Sequence, residues 1–376
     1  MRAAEWPRRS LCLAPPQTGE SAMTDQTAAP ALPVHGGTRL PSVVVDSYNV
    51  ETRDEDGFLG DRITKSAFCE VIDHLRKLLR KRGDDPLGDA PTKDLNKKTL
   101  DQLLTVGEPE AAGVVQSAIE DFAQDLTLVI RRFLKLKGWR DTARLAIGGG
   151  FRASRVGEMV IGRAGVILKS AEVAIDLAPI RNDPDAAGLI GAAHLMPSWV
   201  LKGHDAILAA DLGGTNFRAG VVELSLKRAR DLSKASVWKL ERWRHIDDKP
   251  TRDEALERLV KMLRKLTARA EGEGLDLAPF IGIGCPGLIE EDGKIPRGAQ
   301  NLPGNWESNS FNLPAQLCRA IPKIGRHETV VLVHNDAVVQ GLSEVPVMQD
   351  VEHWGILTIG TGLGNAPFTN RAQADD

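Results

Sequence analysis

Eight residues, Asp211-Leu-Gly-Gly-Thr-Asn-Phe-Arg218, carry the sharpest chemical signal in this chain. Two adjacent glycines, Gly213 and Gly214, in a turn between apolar runs expose backbone N–H groups that phosphate oxygens can approach, since no Cβ intervenes. Thr215 adds a hydroxyl donor, and Asp211 offers a carboxylate suited to a hydrated Mg²⁺ held through water. Gly-Gly alone reads as an ordinary turn between strands; Asp211, Thr215 and Arg218 in register turn the balance toward phosphate. Gly360-Thr361-Gly362-Leu-Gly364 repeats the pattern after a second apolar run, 355–359. Facing the first turn, it could hold a nucleotide's phosphates from the other side.

Asn335-Asp336 closes another apolar run, 330–334. A carboxylate at a strand's end beside an amide can accept a proton from a substrate hydroxyl. The alternative is that Asp336 caps a helix over 337–344. Gly148, Gly149 and Gly150 stand between a short strand and a helix. There the backbone can approach a nucleotide ring or ribose, or the glycines serve close helix–strand packing. The stretch 282–287 matches GxGxxG in form, but Pro286 within it and the lack of a following helix argue against a dinucleotide site. His204, His245, His334 and His353 lack partners at metal-ligand spacing and read as surface or packing residues.

The elements that must position these residues alternate. Phe68, Val71, Ile72, Leu75, Leu78 and Leu79 recur at helical spacing within 61–136, as do Val114 through Phe133 in a later stripe. A short helix is expected over 92–104, strands over 144–147 and 173–177, and a helix over 155–170. Residues 184–196 read as a helix with small residues along one face. Strands are expected over 206–211, 217–224, 280–283, 330–333 and 355–359, with an amphipathic helix over 251–270. Strands alternating with helices argue an α/β architecture with ligands at strand ends.

Bulk properties exclude several classes. The 376 residues suffice for one large or two ordinary domains, and 42% hydrophobic with 26% charged residues is near the globular average. A net charge of −3 provides no global basic field for nucleic acid or an anionic membrane. No run approaches the roughly 20 apolar residues of a membrane span. Cys12, Cys69, Cys285 and Cys318 build no CxxC knuckle and suggest reduced thiols in the cytoplasm. Residues 1–40, rich in Pro, Ala, Gly and Thr, read as a disordered tail without a signal peptide's apolar core, and Met23 is an alternative start.

Taken together, the motifs resemble those of the ROK (repressor, ORF, kinase) and hexokinase group of sugar kinases, within the actin-like ATPase superfamily. LAADLGGTNFRAGVVE resembles the first phosphate motif, and IGIGCPGLIEEDGKI with QNLPGNW the GxPG and NLPgW segment. HNDAVVQGLSE resembles the catalytic-base motif and LTIGTGLGNA the second phosphate motif. LAIGGGFRASRVGE resembles the adenosine motif and PIRNDPDAAGLIGAAHLM the family's final segment, yet both precede the first phosphate motif here.

The resemblance therefore implies a two-lobed, ribonuclease H-like α/β fold in circularly permuted order. Residues 41–184 would form most of the adenosine-binding lobe, 185–350 the lobe with the first phosphate motif and the base, and 351–376 a hairpin completing the former. It implies ATP and Mg²⁺ as cofactors and Asp336 as general base toward a sugar hydroxyl. Phosphate and Mg²⁺ would be held by Asp211, Gly213, Gly214, Thr215, Arg218, Gly360, Thr361 and Gly362. Gly148, Gly149 and Gly150 would hold adenosine, and Asn301 and Asn335 the sugar. The family's ExGH sugar motif and CxCGxxGCxE zinc cluster are not found, so structural zinc is not expected, and acidic residues among 50–57 stand as candidate replacements for the sugar contacts. The expectations are a cytoplasmic sugar kinase, possible as a homodimer, with no nucleic-acid or membrane partner. The alternatives are a catalytically silent sugar- or nucleotide-responsive regulator of the same fold, or a kinase for another acceptor.

Overall fold

In the computed structural model, which describes residues 32–55 and 57–371, the apolar runs become strands with their polar ends in loops. In chain order these are β1 (Arg144–Gly148), β2 (Asp176–Pro179), β3 (Ala206–Leu212), β4 (Phe217–Glu223), β5 (Ser236–Trp243), β6 (Leu277–Cys285), β7 (Val330–Asn335), β8 (His353–Ile359) and β9 (Leu363–Asn370). The described chain divides into two units. Unit 1 comprises residues 32–45, Asp185–Val347 and Arg371; unit 2 comprises Asp46–Pro184 and Met348–Asn370.

Unit 1 is built on a sheet of order β7-β6-β3-β4-β5. β3, β4 and β5 run as an antiparallel meander, while β6 and β7 lie parallel to β3. Three hairpin-connected strands followed by two parallel ones on the far side of the first is the ribonuclease H-like order. β3 and β6 are buried along their whole length, which is why both read as unbroken apolar runs. The helix Arg252–Gly272 opens on a Thr251/Glu254 capping box and buries Leu259, Leu263 and Leu266 in the same core as Leu208, Ile281 and Val333. The small-residue face of the helix Pro184–Ala193 serves close approach: a Cβ on Gly191 would stand 1.7 Å from the Val339 carbonyl oxygen. β5 was not anticipated, because its residues are half-exposed and alternate only weakly.

Unit 2 carries the order β9-β8-β1-β2, an antiparallel β8–β9 hairpin beside parallel β1 and β2. The N–H groups of Asp46 and Asn49 donate to the carbonyls of Pro367 and Asn365 along the outer edge of β9. Helices Lys65–Arg80, Lys97–Val106, Pro109–Phe133 and Arg155–Ser170 enclose a core in which Phe68, Phe122 and Phe151 meet at ring separations of 5.0–5.4 Å.

Several boundaries differ from expectation. The strand expected over 173–177 begins at Asp176, because Glu172 (φ +56°) and Val173, whose N–H donates to Leu168 O, are used to end the preceding helix. The helix expected from 92 begins at Lys97, where the Asn96 side chain caps by accepting from Thr99 N at 3.0 Å. The tail expected over 1–40 lies outside the described residues for 1–31, with Cys12 and Met23. Residues 32–40, by contrast, pack into unit 1: Gly36 N–H donates to Val333 O, His35 Nδ1 accepts from Val333 N at 3.2 Å, and Leu40 is buried. Among the described residues no helix is long and apolar enough to cross a membrane.

Candidate active site

The parallel strands β3, β6 and β7 of unit 1 end side by side. Asp211 is level with Gly284 and Cys285 with Asn335, so Asp336 follows immediately beyond β7. Gly284 fills the space between the two carboxylate-bearing strand ends. A Cβ there would stand 3.5 Å from Asp336 Cα and 3.6 Å from Asp211 Oδ1. Asp336 retains some exposed surface, whereas Asp211 is 3% exposed. Burial and then the Asp211 charge push the Asp336 carboxyl up to about 7, against the Ala337 N–H that donates to its Oδ1 at 2.9 Å. Burial also raises Asp211, with Arg218 pulling the other way.

Asn335, expected to contact sugar, is committed elsewhere. Its Oδ1 accepts from Ala337 N (3.0 Å) and Val338 N (3.3 Å), and its Nδ2 donates to Gly287 O at 3.0 Å. Asn335 is thus the N-cap of the helix Asp336–Leu342, the role considered for Asp336, and at 1% exposure it presents no surface to a ligand. Arg218, expected among the phosphate ligands, is likewise engaged by carboxylates. It donates to Asp211 Oδ2 at 3.1 Å and to Asp185 Oδ1 at 2.7 Å.

The turn after β3 closes on itself. Gly213 N–H donates to Asn216 O at 3.0 Å, and Gly213 O meets His245 Nε2 at 2.9 Å. The Gly213 amide is therefore not available to phosphate, contrary to expectation. Neither Gly213 nor Gly214 takes a positive φ; glycine is needed at 214 because a Cβ would meet Asn301 Cβ at 2.8 Å. That contact brings Asn301 to the turn. Thr215 is half-buried within it.

In unit 2 the turn after β8 is tied by Gly360 N–H to Gly362 O (3.0 Å) and by Lys65 N–H to Gly360 O (3.1 Å), which commits the Gly360 amide. Thr361 and Gly362 are exposed, and a Cβ on Gly362 would meet nothing within 4 Å. Gly148 is level with Thr358 on the neighbouring strand, so the triple glycine stands beside this turn. Gly149 (φ +82°) lies against Ile359, while Gly150 is exposed and its carbonyl accepts from Lys97 Nζ. Close packing therefore accounts for Gly149. Among the acidic residues of 50–57, Asp54 pairs with Arg62 at 2.8 Å and Glu51 with Arg53 at 3.4 Å; Asp56 lies outside the described residues.

Sequence reasoning missed the part of Asp185, and took His245 no further than a surface or packing residue, of which it is the latter. Asp185 was visible only as an acidic helix start. His245 had no local signal: its ring is buried against Phe217 at 4.8 Å, a contact that exists only in the folded sheet. No group of three or more His, Cys, Asp or Glu able to hold a metal occurs among the described residues.

No protein-family model matches the chain. Over 166 residues it is 25% identical to the glucokinase of Thermotoga maritima, covering 44% of each protein. The chain thus spans less than half the length of the curated relative it matches. Among solved structures it is similar to the ROK hexokinase from Thermus thermophilus (27% identity, 43% of this chain, 46% of the other, TM-score 0.31). It is also similar to the Lmo2764 protein from Listeria monocytogenes (25% identity, 44% and 47%, TM-score 0.33).

Proposed function

We propose that this protein is an ATP-dependent sugar kinase of glucokinase type, transferring the γ-phosphoryl group of ATP to a sugar hydroxyl. The observation that carries this reading is Asp336: a carboxylate at a parallel strand's end, partly solvent-facing, raised to about 7 beside a second carboxylate. A base whose pKa sits near the working pH combines a useful ionised fraction with proton affinity. Asp336 accepts the proton of the acceptor hydroxyl as its oxygen attacks phosphorus. Asn335 supports it by fixing the helix start, and Asn301, beside Gly214, is the remaining candidate for contact with the sugar.

The remaining phosphate candidates are Gly214 and Thr215 in unit 1, and Thr361 and Gly362 in unit 2, where a Cβ on Gly362 would meet nothing within 4 Å. Gly148 and Gly150 are the adenosine candidates. The donor set near Asp211 suits a hydrated Mg²⁺, since one carboxylate oxygen remains outside the Arg218 pair and the Asp211 charge, which raises Asp336, would be offset by a dication nearby. Asp211 would hold that ion through water, and the bound ion would supply charge neutralisation on the phosphates.

We read the chain order as a circular permutation. In unit 1 the hairpin strands β3 and β4 precede the parallel β6 and β7; in unit 2 the parallel β1 and β2 precede the hairpin β8–β9. The same sheet plan entered at a different point supports this reading. The free thiols of Cys69, Cys285 and Cys318 suit a cytoplasmic enzyme, and sedimentation would test whether it forms a homodimer.

The decisive measurement is ATP consumption against a panel of hexoses, N-acetylhexosamines and buffer alone. One sugar should raise the rate well above buffer, and Asp336→Ala should abolish that increment. Flat rates across the panel with ATP bound would overturn the kinase in favour of a regulator, and an Asp336→Ala protein with the parental rate would remove the base.

A further inference from the structure

The charge network behind Asp211 extends through four elements of unit 1. Asp211 on β3 is directly opposite Arg218 on β4, which is directly opposite Arg242 on β5. Two arginines facing each other across a ladder repel. Asp185, in the first turn of the helix Pro184–Ala193, accepts from both: Oδ1 from Arg218 Nε at 2.7 Å and Oδ2 from Arg242 Nη1 at 3.0 Å. Side-chain exposure falls from 57% at Arg242 through 31% and 17% to 4% at Asp211. The chain of charges therefore runs from solvent to the buried carboxylate.

The same helix grips Asp211 a second way. Gly188, one turn beyond Asp185, approaches so closely that a Cβ would stand 2.9 Å from Asp211 Cγ. Asp211 is thus held between the helix backbone, the Arg218 guanidinium and Gly284. A planar fork that bonds two carboxylates through different nitrogens fixes orientation in a way a point charge does not.

We propose that Arg218 is a positioning residue, not a phosphate ligand, and that Asp185 locks it so that the Arg242–Asp185–Arg218 chain fixes the Asp211 carboxylate facing Asp336. This rests on the kinase reading of Asp211, but half of its test does not need activity. Asp185→Asn is nearly isosteric and loses the charge. Its crystal structure should show Arg218 released from residue 185 and the Asp211 carboxylate turned from its parental rotamer. Its kcat should fall about ten- to a hundredfold while the KM for ATP stays within about twofold, the sign of misplacement and not of lost binding. Asp185→Glu should restore most of kcat. Arg242→Gln, at the exposed end, should act in the same direction more weakly and guards against a folding defect in the inner variant. An Asp185→Asn protein with the parental Asp211 rotamer and parental kcat overturns the proposal, as does an Arg218→Lys protein whose only change is a raised KM for ATP. If the parental protein phosphorylates no sugar, the kinase reading fails, and the Asp211 rotamer in the paired crystal structures alone decides the positioning.

Discussion

Gly149 lies so close to Ile359 that an added Cβ would stand 2.4 Å from the isoleucine carbonyl oxygen and 2.6 Å from its amide nitrogen. The glycine also adopts φ +82°, ψ +174°, a region essentially closed to other residues. The contact joins the end of β1 to the end of β8, residues far apart in the chain. Gly149→Ala should destabilise unit 2 by about 3 kcal/mol or more, since strain and backbone clash add. Gly150→Ala is the control, because its nearest neighbour would be Lys97 Nζ at 3.7 Å, and it should change urea stability by less than about 1 kcal/mol. Equal losses in the two variants would show that the contact is not what the glycine serves.

Asp336→Asn should lower turnover by about 10²–10⁴, the usual size of general-base catalysis. In the parental protein kcat/KM should fall tenfold per pH unit below about 7, because the base must be ionised. Stability should move the opposite way. A carboxyl raised from 3.8 to about 7 in the folded state contributes stability that is present below pH 3.8 and lost as pH rises through 7. The Asn variant should therefore melt above the parent at pH 8 and not at pH 4. A lower melting temperature at pH 8 would count against the raised carboxyl.

Asn335→Ala removes the cap of the helix carrying Asp336 and the tie to Gly287. A loss of about 1–3 kcal/mol in denaturant unfolding is expected, from the cap and from the unpaired Gly287 carbonyl. Asn335→Ser should recover part of it. Were Asn335 a sugar ligand instead, the sugar KM would rise with stability unchanged.

His194 is held neutral by burial, its pKa lowered to about 4, and its Nε2 has no hydrogen-bond partner. His35 and His334 are lowered to about 4 for the same reason. A depressed imidazole contributes stability that is present above pH 6.5 and lost as pH falls through 4. His194→Leu should shrink the stability difference between pH 7.5 and pH 5 by about 1–2 kcal/mol, read by urea unfolding at both values. An unchanged difference would mean that this imidazole titrates normally.

Much of the site could be read from the chain because its constraints are local. Glycines in turns and apolar runs ending in Asp or Asn act over a few residues, so the ends of β3, β7 and β8 were placed to within two positions. Asp211, Asp336 and the two glycine turns were singled out on that basis. What each side chain does with its hydrogen bonds was not legible, since a partner such as Asp185 for Arg218, or Gly287 for Asn335, is supplied by another element.

By itself the sequence determined the α/β class, the helical stripes and the short list of residues fit for chemistry, because periodicity and turn chemistry are properties of neighbours. The tertiary structure decided that β1 lies beside β8, that Gly284 separates Asp211 from Asp336, and that Arg218 answers to two carboxylates. Sheet register and burial bring distant residues within a few ångströms, and only there do charge and desolvation set which group holds a proton.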